Sequence, residues 1–423
     1  MDDWEGARAP SRRRKLALVG GVILVLALGV WVITSSTRDP PASLTVDPAG
    51  LTGVPAGQPT PGPTVGLGQT AGTRLAGEWS TSESIPDGAG VPAGQSVWTG
   101  RELLVGFSPR VAAYSPDRRP GQRWRVLPPH PAQPLRVRGV TQARGAEVFV
   151  FGVQSCAGCP WDGQLWTVEP NTGEWTRLAD APTRDGIQRE SVVMLGNQVA
   201  VIRDLGSGGL QVIAFDPLVQ QWRDLSAPSD GRFDWQVVSA GTRMVLAGER
   251  TLDNGILTTQ VLVYDLTREE WESVAQPMPM RAPQRAAAVW AGDRVIYFGG
   301  STRDSVQGVE LDLRLLRWTV LPQAPALDAS RPISGPDRGA LSGLAGVWDG
   351  DRAVFLGGLN NPIQVAWSPT TSQWQLRRPP PSRVNGMAWW TGGQILLWGG
   401  VDRDGPAADL LSWPAGAGNL SGG

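Results

Sequence analysis

The chain has 423 residues, 38 Lys+Arg against 39 Asp+Glu, and a formal net charge of −1. That balance argues against a nucleic-acid binder, because neutralising phosphates needs surplus cationic charge. A single histidine, His130, excludes His-rich metal sites and leaves almost no room for Ser-His-Asp or Cys-His catalysis. The 54 Gly, 36 Pro and 20 Trp point to many short strands and turns rather than helices.

In chain order, the first element is an apolar run. Residues 16–33 read LALVGGVILVLALGVWVI without a charge, long enough to cross a hydrocarbon layer. Arg12, Arg13, Arg14 and Lys15 precede it, and only Arg38 follows closely. The positive-inside rule places residues 1–15 in the cytoplasm, residues 16–34 in the membrane as a signal anchor, and the rest outside. A cleaved signal peptide is the alternative, but the run exceeds a usual signal core and no clear A-x-A site follows. Residues 35–77 are rich in Pro, Gly and Thr and poor in aromatic residues. Such a segment buries too little apolar surface to fold, so it is expected to be a disordered tether.

From residue 78 the sequence repeats. A Trp opens a short polar run seven times: Trp79, Trp124, Trp175, Trp222, Trp271, Trp318 and Trp374, spaced by 45 to 56 residues. Before it lies an apolar run, as in QVIAFDP and VLVYDL, with Val168, Phe215, Tyr264, Leu311 and Trp367 each seven positions ahead of its Trp. Further upstream is a second apolar run, as in RVIYFGG, preceded by a Gly turn at Gly100, Gly145, Gly196, Gly241, Gly292, Gly350 and Gly392. Before each turn is a third short run, such as AAAVW. Each unit is therefore four strands, a to d, and such units at this spacing are propeller blades. The final unit, QILLWGG then ADLLSWP, lacks a Trp-led strand of its own, while an orphan one at 78–86 comes first. The N-terminal strand is thus expected to complete the last blade. The fold class expected is all-β: a seven-bladed propeller over residues 78–414, one transmembrane helix before it and a flexible tail at 415–423.

The diglycines Gly299–Gly300, Gly357–Gly358 and Gly399–Gly400, with Tyr264 seven positions before Trp271, resemble the kelch repeat, as in the central domain of galactose oxidase-like proteins. The resemblance covers about 78–413 and implies a propeller scaffold for binding. WD40 is the rival propeller; Gly-His dipeptides are absent and the Trp-Asp pairs at 161–162 and 348–349 are not periodic. Kelch-like copper-radical oxidases need two His and a Tyr–Cys link, which one His does not supply. Sialidase boxes are approached only by Ser115-Pro-Asp117 before Trp124. No mutarotase motif maps onto the chain.

In a four-stranded meander the a–b and c–d turns share one end, and the b–c loops and d–a links share the other. The second group varies most here, so binding is expected there. Arg136, Arg184, Arg232, Arg281, Arg331 and Arg383 recur in the d–a links, where they are expected to ring the channel mouth and suit carboxylate or phosphate. The competing reading pairs them with Asp185, Glu190, Asp230 or Asp234 as staples between blades. Trp161 and Asp162 stand in a variable loop as further binding candidates. Cys156 and Cys159 in SCAGCPWD are expected to form a loop-shaping disulfide outside the membrane. No catalytic residue, metal or cofactor is assigned. A carboxylate pair drawn from Asp162, Asp253, Asp304, Asp402 and Asp404 is the remaining enzymatic option. The expected function is a membrane-anchored extracytoplasmic module that binds a protein; the alternative is a carbohydrate-binding or carbohydrate-active propeller using the arginine-lined mouth.

Overall fold

The computed structural model describes residues 78–414 apart from 84, 87–94, 108–109, 132–134, 143–146, 155–162, 207–208, 226–232, 252–256, 282, 301–306, 326–340 and 360–361. The expected cytoplasmic segment, anchor, tether and tail all lie outside the described residues. Among the described residues, no helix is long and apolar enough to cross a membrane.

Among the described residues, twenty-eight strands form seven antiparallel four-stranded sheets. Blade 1 is β2 (Ser96–Trp98), β3 (Leu103–Val105), β4 (Ala112–Tyr114) and β5 (Trp124–Val126). Blade 2 is β6 (Leu135–Gln142), β7 (Val148–Gln154), β8 (Gly163–Val168) and β9 (Trp175–Arg177). Blade 3 is β10 (Arg189–Leu195), β11 (Gln198–Asp204), β12 (Leu210–Asp216) and β13 (Gln221–Asp224). Blade 4 is β14 (Phe233–Ala240), β15 (Arg243–Thr251), β16 (Leu257–Asp265) and β17 (Glu270–Ser273). Blade 5 is β18 (Ala286–Trp290), β19 (Arg294–Gly299), β20 (Gly308–Asp312) and β21 (Arg317–Val320). Blade 6 is β22 (Ala345–Trp348), β23 (Ala353–Gly357), β24 (Ile363–Ser368) and β25 (Gln373–Leu376).

Blade 7 is β26 (Met387–Trp390), β27 (Gln394–Trp398) and β28 (Leu410–Pro414), completed by β1 (Ser80–Thr81). The ring closes as the repeat count requires, with Ser80 opposite Ser412 and Thr81 opposite Leu411. The clasp strand is shorter than the run 78–86 suggested. Beyond Thr81 the Ser82 N–H continues the ladder, donating to Leu410 O at 2.7 Å. β1 enters opposite the end of β28, so the chain reaches the ring at the tight-turn end. The innermost strands β2, β6, β10, β14, β18, β22 and β26 each touch the next around the ring.

The seven-residue offset is cross-strand pairing. Val168, Phe215, Tyr264, Leu311 and Trp367 lie directly opposite Trp175, Trp222, Trp271, Trp318 and Trp374. Their rings stack where both are aromatic, with centroids 5.2 Å apart for Phe215–Trp222 and Tyr264–Trp271 and 5.1 Å for Trp367–Trp374. Each blade buries its apolar runs against the next, giving one core cluster per interface.

The same tryptophans bind blade to blade. Trp124 donates its indole N–H to Glu83 O at 2.9 Å, Trp175 to Pro128 O at 3.3 Å and Trp222 to Ala179 O at 2.9 Å. Trp271 donates to Leu225 O at 2.7 Å, Trp374 to Pro322 O at 2.8 Å and Trp79 to Arg378 O at 3.1 Å. Every acceptor is the carbonyl just past strand d of the preceding blade. Trp318 breaks the series, its buried Nε1 having no partner. A large apolar ring with one donor at its edge suits this place, because it fills the wedge and satisfies a link carbonyl together.

The diglycines have a steric cause. Gly357 and Gly400 hold φ of 122° and 89°; a Cβ on Gly357 would lie 2.8 Å from Arg383 O, and one on Gly400 2.5 Å from Val384 O. The incoming backbone of blade 7 packs against both, so a side chain there meets strain and collision.

Candidate functional site

The b–c loops and d–a links gather at the end of the ring away from the chain's entry. Arg136, the second residue of β6, is exposed; so are Arg184, between β9 and β10, and Arg281, after β17. Arg383 differs from its expected place at the mouth. It is 3% exposed, its Nη1 lies 2.7 Å from Asp409 Oδ1 and 3.2 Å from Gly399 O, and its backbone bridges Gly358. Burial against the diglycine of blade 6 turns this guanidinium inward as a staple. Arg232, Arg331, Trp161, Asp162, Cys156 and Cys159 lie outside the described residues.

Stapling also occurs through arginines that the link pattern did not mark. Arg189 begins β10 and reaches blade 4, with Nη1 2.9 Å from Asp234 Oδ1, Nη2 donating to Trp235 O at 3.2 Å, and its guanidinium carbon 4.5 Å from the Trp235 ring centre. Arg203 occupies the place in β11 that Gly299 takes in β19. It is fully buried, donates from Nε to Glu190 Oε1 at 3.1 Å and from Nη1 to Pro182 O at 2.7 Å. Glu190 lies directly opposite it on β10, and its other oxygen is 3.8 Å from Arg138 Nε. Arg138 stands where the register of β6 against β7 shifts by one residue, a bulge that redirects a side chain. Burial pushes the Glu190 carboxyl up, and the charges of Arg203 and Arg138 only partly oppose it. Burial likewise lowers Arg203 and Arg138 below the usual guanidinium range.

Other perturbed carboxylates are held by arginine at the opposite, tight-turn end. Burial raises Asp265, but bonds from Thr267 and Arg243 outweigh it and bring it down to about 2. Glu102 is likewise raised by burial and brought net below its ordinary value by Arg125 and Ser115. The two described members of the carboxylate set are Asp402 and Asp404. Asp402 accepts the N–H groups of Asp404 and Gly405 at 2.8 and 3.1 Å, which makes it the cap of its own loop. His130 is 3% exposed and packs edge-on against both Trp166 and Trp175, with centroids 4.5 Å away. Among the described residues, no group of three His, Cys, Asp or Glu is placed to hold a metal.

Between the innermost strands runs the channel, with a cavity of about 540 Å³ on the side of blades 4 to 7. Sequence reasoning gave it no residues. Its signal was the small side chains of AAAVW and LAGVW, in segments that otherwise read as ordinary strands.

No family model matches the chain, and no curated protein matches it.

Proposed function

We propose that the chain is a membrane-anchored, extracytoplasmic kelch-like propeller that binds an acidic segment of another protein at its loop-bearing end. The observation carrying this reading is that Arg136 and Arg184 stand exposed at that end of a ring in which, among the described residues, buried charges such as Arg203 and Arg383 are paired internally. A guanidinium in water is poised for a carboxylate without first breaking a buried pair. The anchor rests on the uncharged run 16–33 behind its basic flank, and the kelch assignment on the three diglycines and the Trp offset. The perturbed carboxylates are engaged by arginines as structural pairs, which favours binding over acid–base chemistry.

The test uses the full chain in its membrane. A photo-crosslinker beside Arg184 in wild type is compared with Arg136→Glu/Arg184→Glu/Arg281→Glu, after both are shown to melt alike. A crosslinked outer-face protein lost in the triple variant, and weakened by salt, supports the reading. Crosslinking that is equal in both sinks it.

A further inference from the structure

We infer that the central channel holds a second site, for an uncharged saccharide, distinct from the arginine-bearing end. Three observations carry it. The first is shape. The cavity of about 540 Å³ falls within the roughly 300–1,000 Å³ of small-molecule sites. It lies to one side, against β14, β18, β22 and β26, with the small residues Ala286, Ala288, Gly346 and Ala388 among its lining.

The second is polarity. Among the described residues lining the cavity none is ionisable, so a charged ligand would lose its hydration with no counter-charge from them. The wall is nonetheless rich in hydrogen-bonding groups. Strands β14, β18, β22 and β26 each pair on one edge only, and the other edge turns its N–H and C=O groups to the channel. Gln236 adds a side-chain amide. Its Nε2 donates to Ala286 O at 3.1 Å, which fixes the amide, and its Oε1 is buried with no partner. That acceptor calls for a donor such as a hydroxyl.

The third is aromatic surface. Trp290, Trp348 and Trp389 stand around the cavity. Trp290 is 40% exposed although its ring is fixed, the indole N–H donating to Gly292 O at 2.5 Å and the ring edge resting against the Gly241 turn. Trp389 is held by a bond from its Nε1 to Ser96 Oγ at 2.9 Å. These are not the periodic tryptophans of strand d; Trp348 and Trp389 also pack against the inter-blade cores, which leaves Trp290 as the most open of the three. Indole faces and many neutral donors and acceptors, without a charge, match a ligand with an apolar C–H face and hydroxyls around its rim. A neutral sugar has that pattern. A purely apolar ligand would leave the strand edges and Gln236 unmatched.

The experiment is saturation-transfer NMR on the full chain in a non-glycosidic detergent, with maltotriose, cellotriose and chitotriose as probes. The variant Ala288→Leu/Ala388→Leu fills the cavity without touching charge, and Trp290→Ala removes one platform. Binding of at least one trisaccharide is expected, abolished in the filled variant and weakened roughly tenfold in Trp290→Ala. It should be unchanged in Arg136→Glu/Arg184→Glu/Arg281→Glu, which separates this site from the protein-binding one. No binding by any probe overturns the inference, as does equal binding by wild type and a filled variant that melts normally. Transfer to an apolar dye alone, without any sugar, also overturns it.

Discussion

Replacing Arg203 by Met should destabilise the propeller far more than a surface arginine would, and in a pH-dependent way. Among the described residues, Arg203 is the only guanidinium within hydrogen-bonding reach of Glu190, whose side chain is 1% exposed; Arg138 Nε lies 3.8 Å away. Removing it leaves a buried carboxylate without its hydrogen-bonded partner, a loss of about 3–5 kcal/mol for broken buried pairs. For the unit Ala71–Gly423, roughly 2.1 cal/mol/K per residue gives an unfolding entropy near 0.7 kcal/mol/K. The melting temperature should therefore fall by about 4–7 °C. Glu190 already titrates above its ordinary 4.5 in the folded state, so the folded chain holds that proton more tightly than the unfolded one. Stability then declines as pH rises from about 4.5 through the folded value, and Arg203→Met moves that value further up. The loss should be largest near pH 8 and shrink as the solution is acidified. Glu190→Met/Arg203→Met removes both charges and should recover most of it, because apolar replacement of a buried pair is often neutral or stabilising. Urea unfolding of the four chains in one double-mutant cycle measures the coupling. If the double variant loses the sum of the two singles at every pH, the pair is not what sets the stability of this blade interface.

Three further outcomes follow from the same geometry. Trp271→Phe should cost about 0.5–1.5 kcal/mol more in urea unfolding than Trp318→Phe, since only Trp271 donates to a link carbonyl. Gly400→Ala should lower the melting temperature more than Gly392→Ala: φ is 89° and 90° respectively, but a Cβ at Gly392 meets nothing within 4 Å, whereas at Gly400 it meets Val384 O. Wild-type stability should drop as pH falls from about 3.8 through about 2, where Asp265 gains a proton and loses Arg243 and Thr267. Calorimetry should show that drop flattened in Asp265→Asn.

The ring was legible because its evidence is periodic. A Trp and an apolar partner seven positions ahead are what a strand c, a tight turn and a strand d require when the two must face each other. The orphan Trp79 likewise marked the clasp, since only a missing outer strand explains a repeat that starts with its last element. The site was less legible. Arg383 reads like Arg184 in sequence, and only the packing of its link onto the diglycine of blade 6, with Asp409 alongside, separates a buried staple from an exposed cation. Arg203 reads as an arginine at a strand end, and its burial depends on Glu190 lying opposite it. The channel was invisible for a different reason. It arises from the absence of bulk at alternate positions of three separate strands, which no local pattern records.

The two-residue clasp also sets an order of events during synthesis. The hydroxyls of Ser80 and Ser412 meet at 2.8 Å across 332 residues of sequence. At about 5–20 residues per second, the first strand leaves the ribosome roughly 20–60 s before its partner exists. Through that interval the clasp strand has no β28 to pair with and the ring cannot close, so its open edges remain sticky to other chains. Only a chain translated to its last strand can shut. Closure therefore works as an end-of-message check, and a nascent product truncated before Leu410 should go to proteolysis or aggregation rather than persist as a six-bladed imitation.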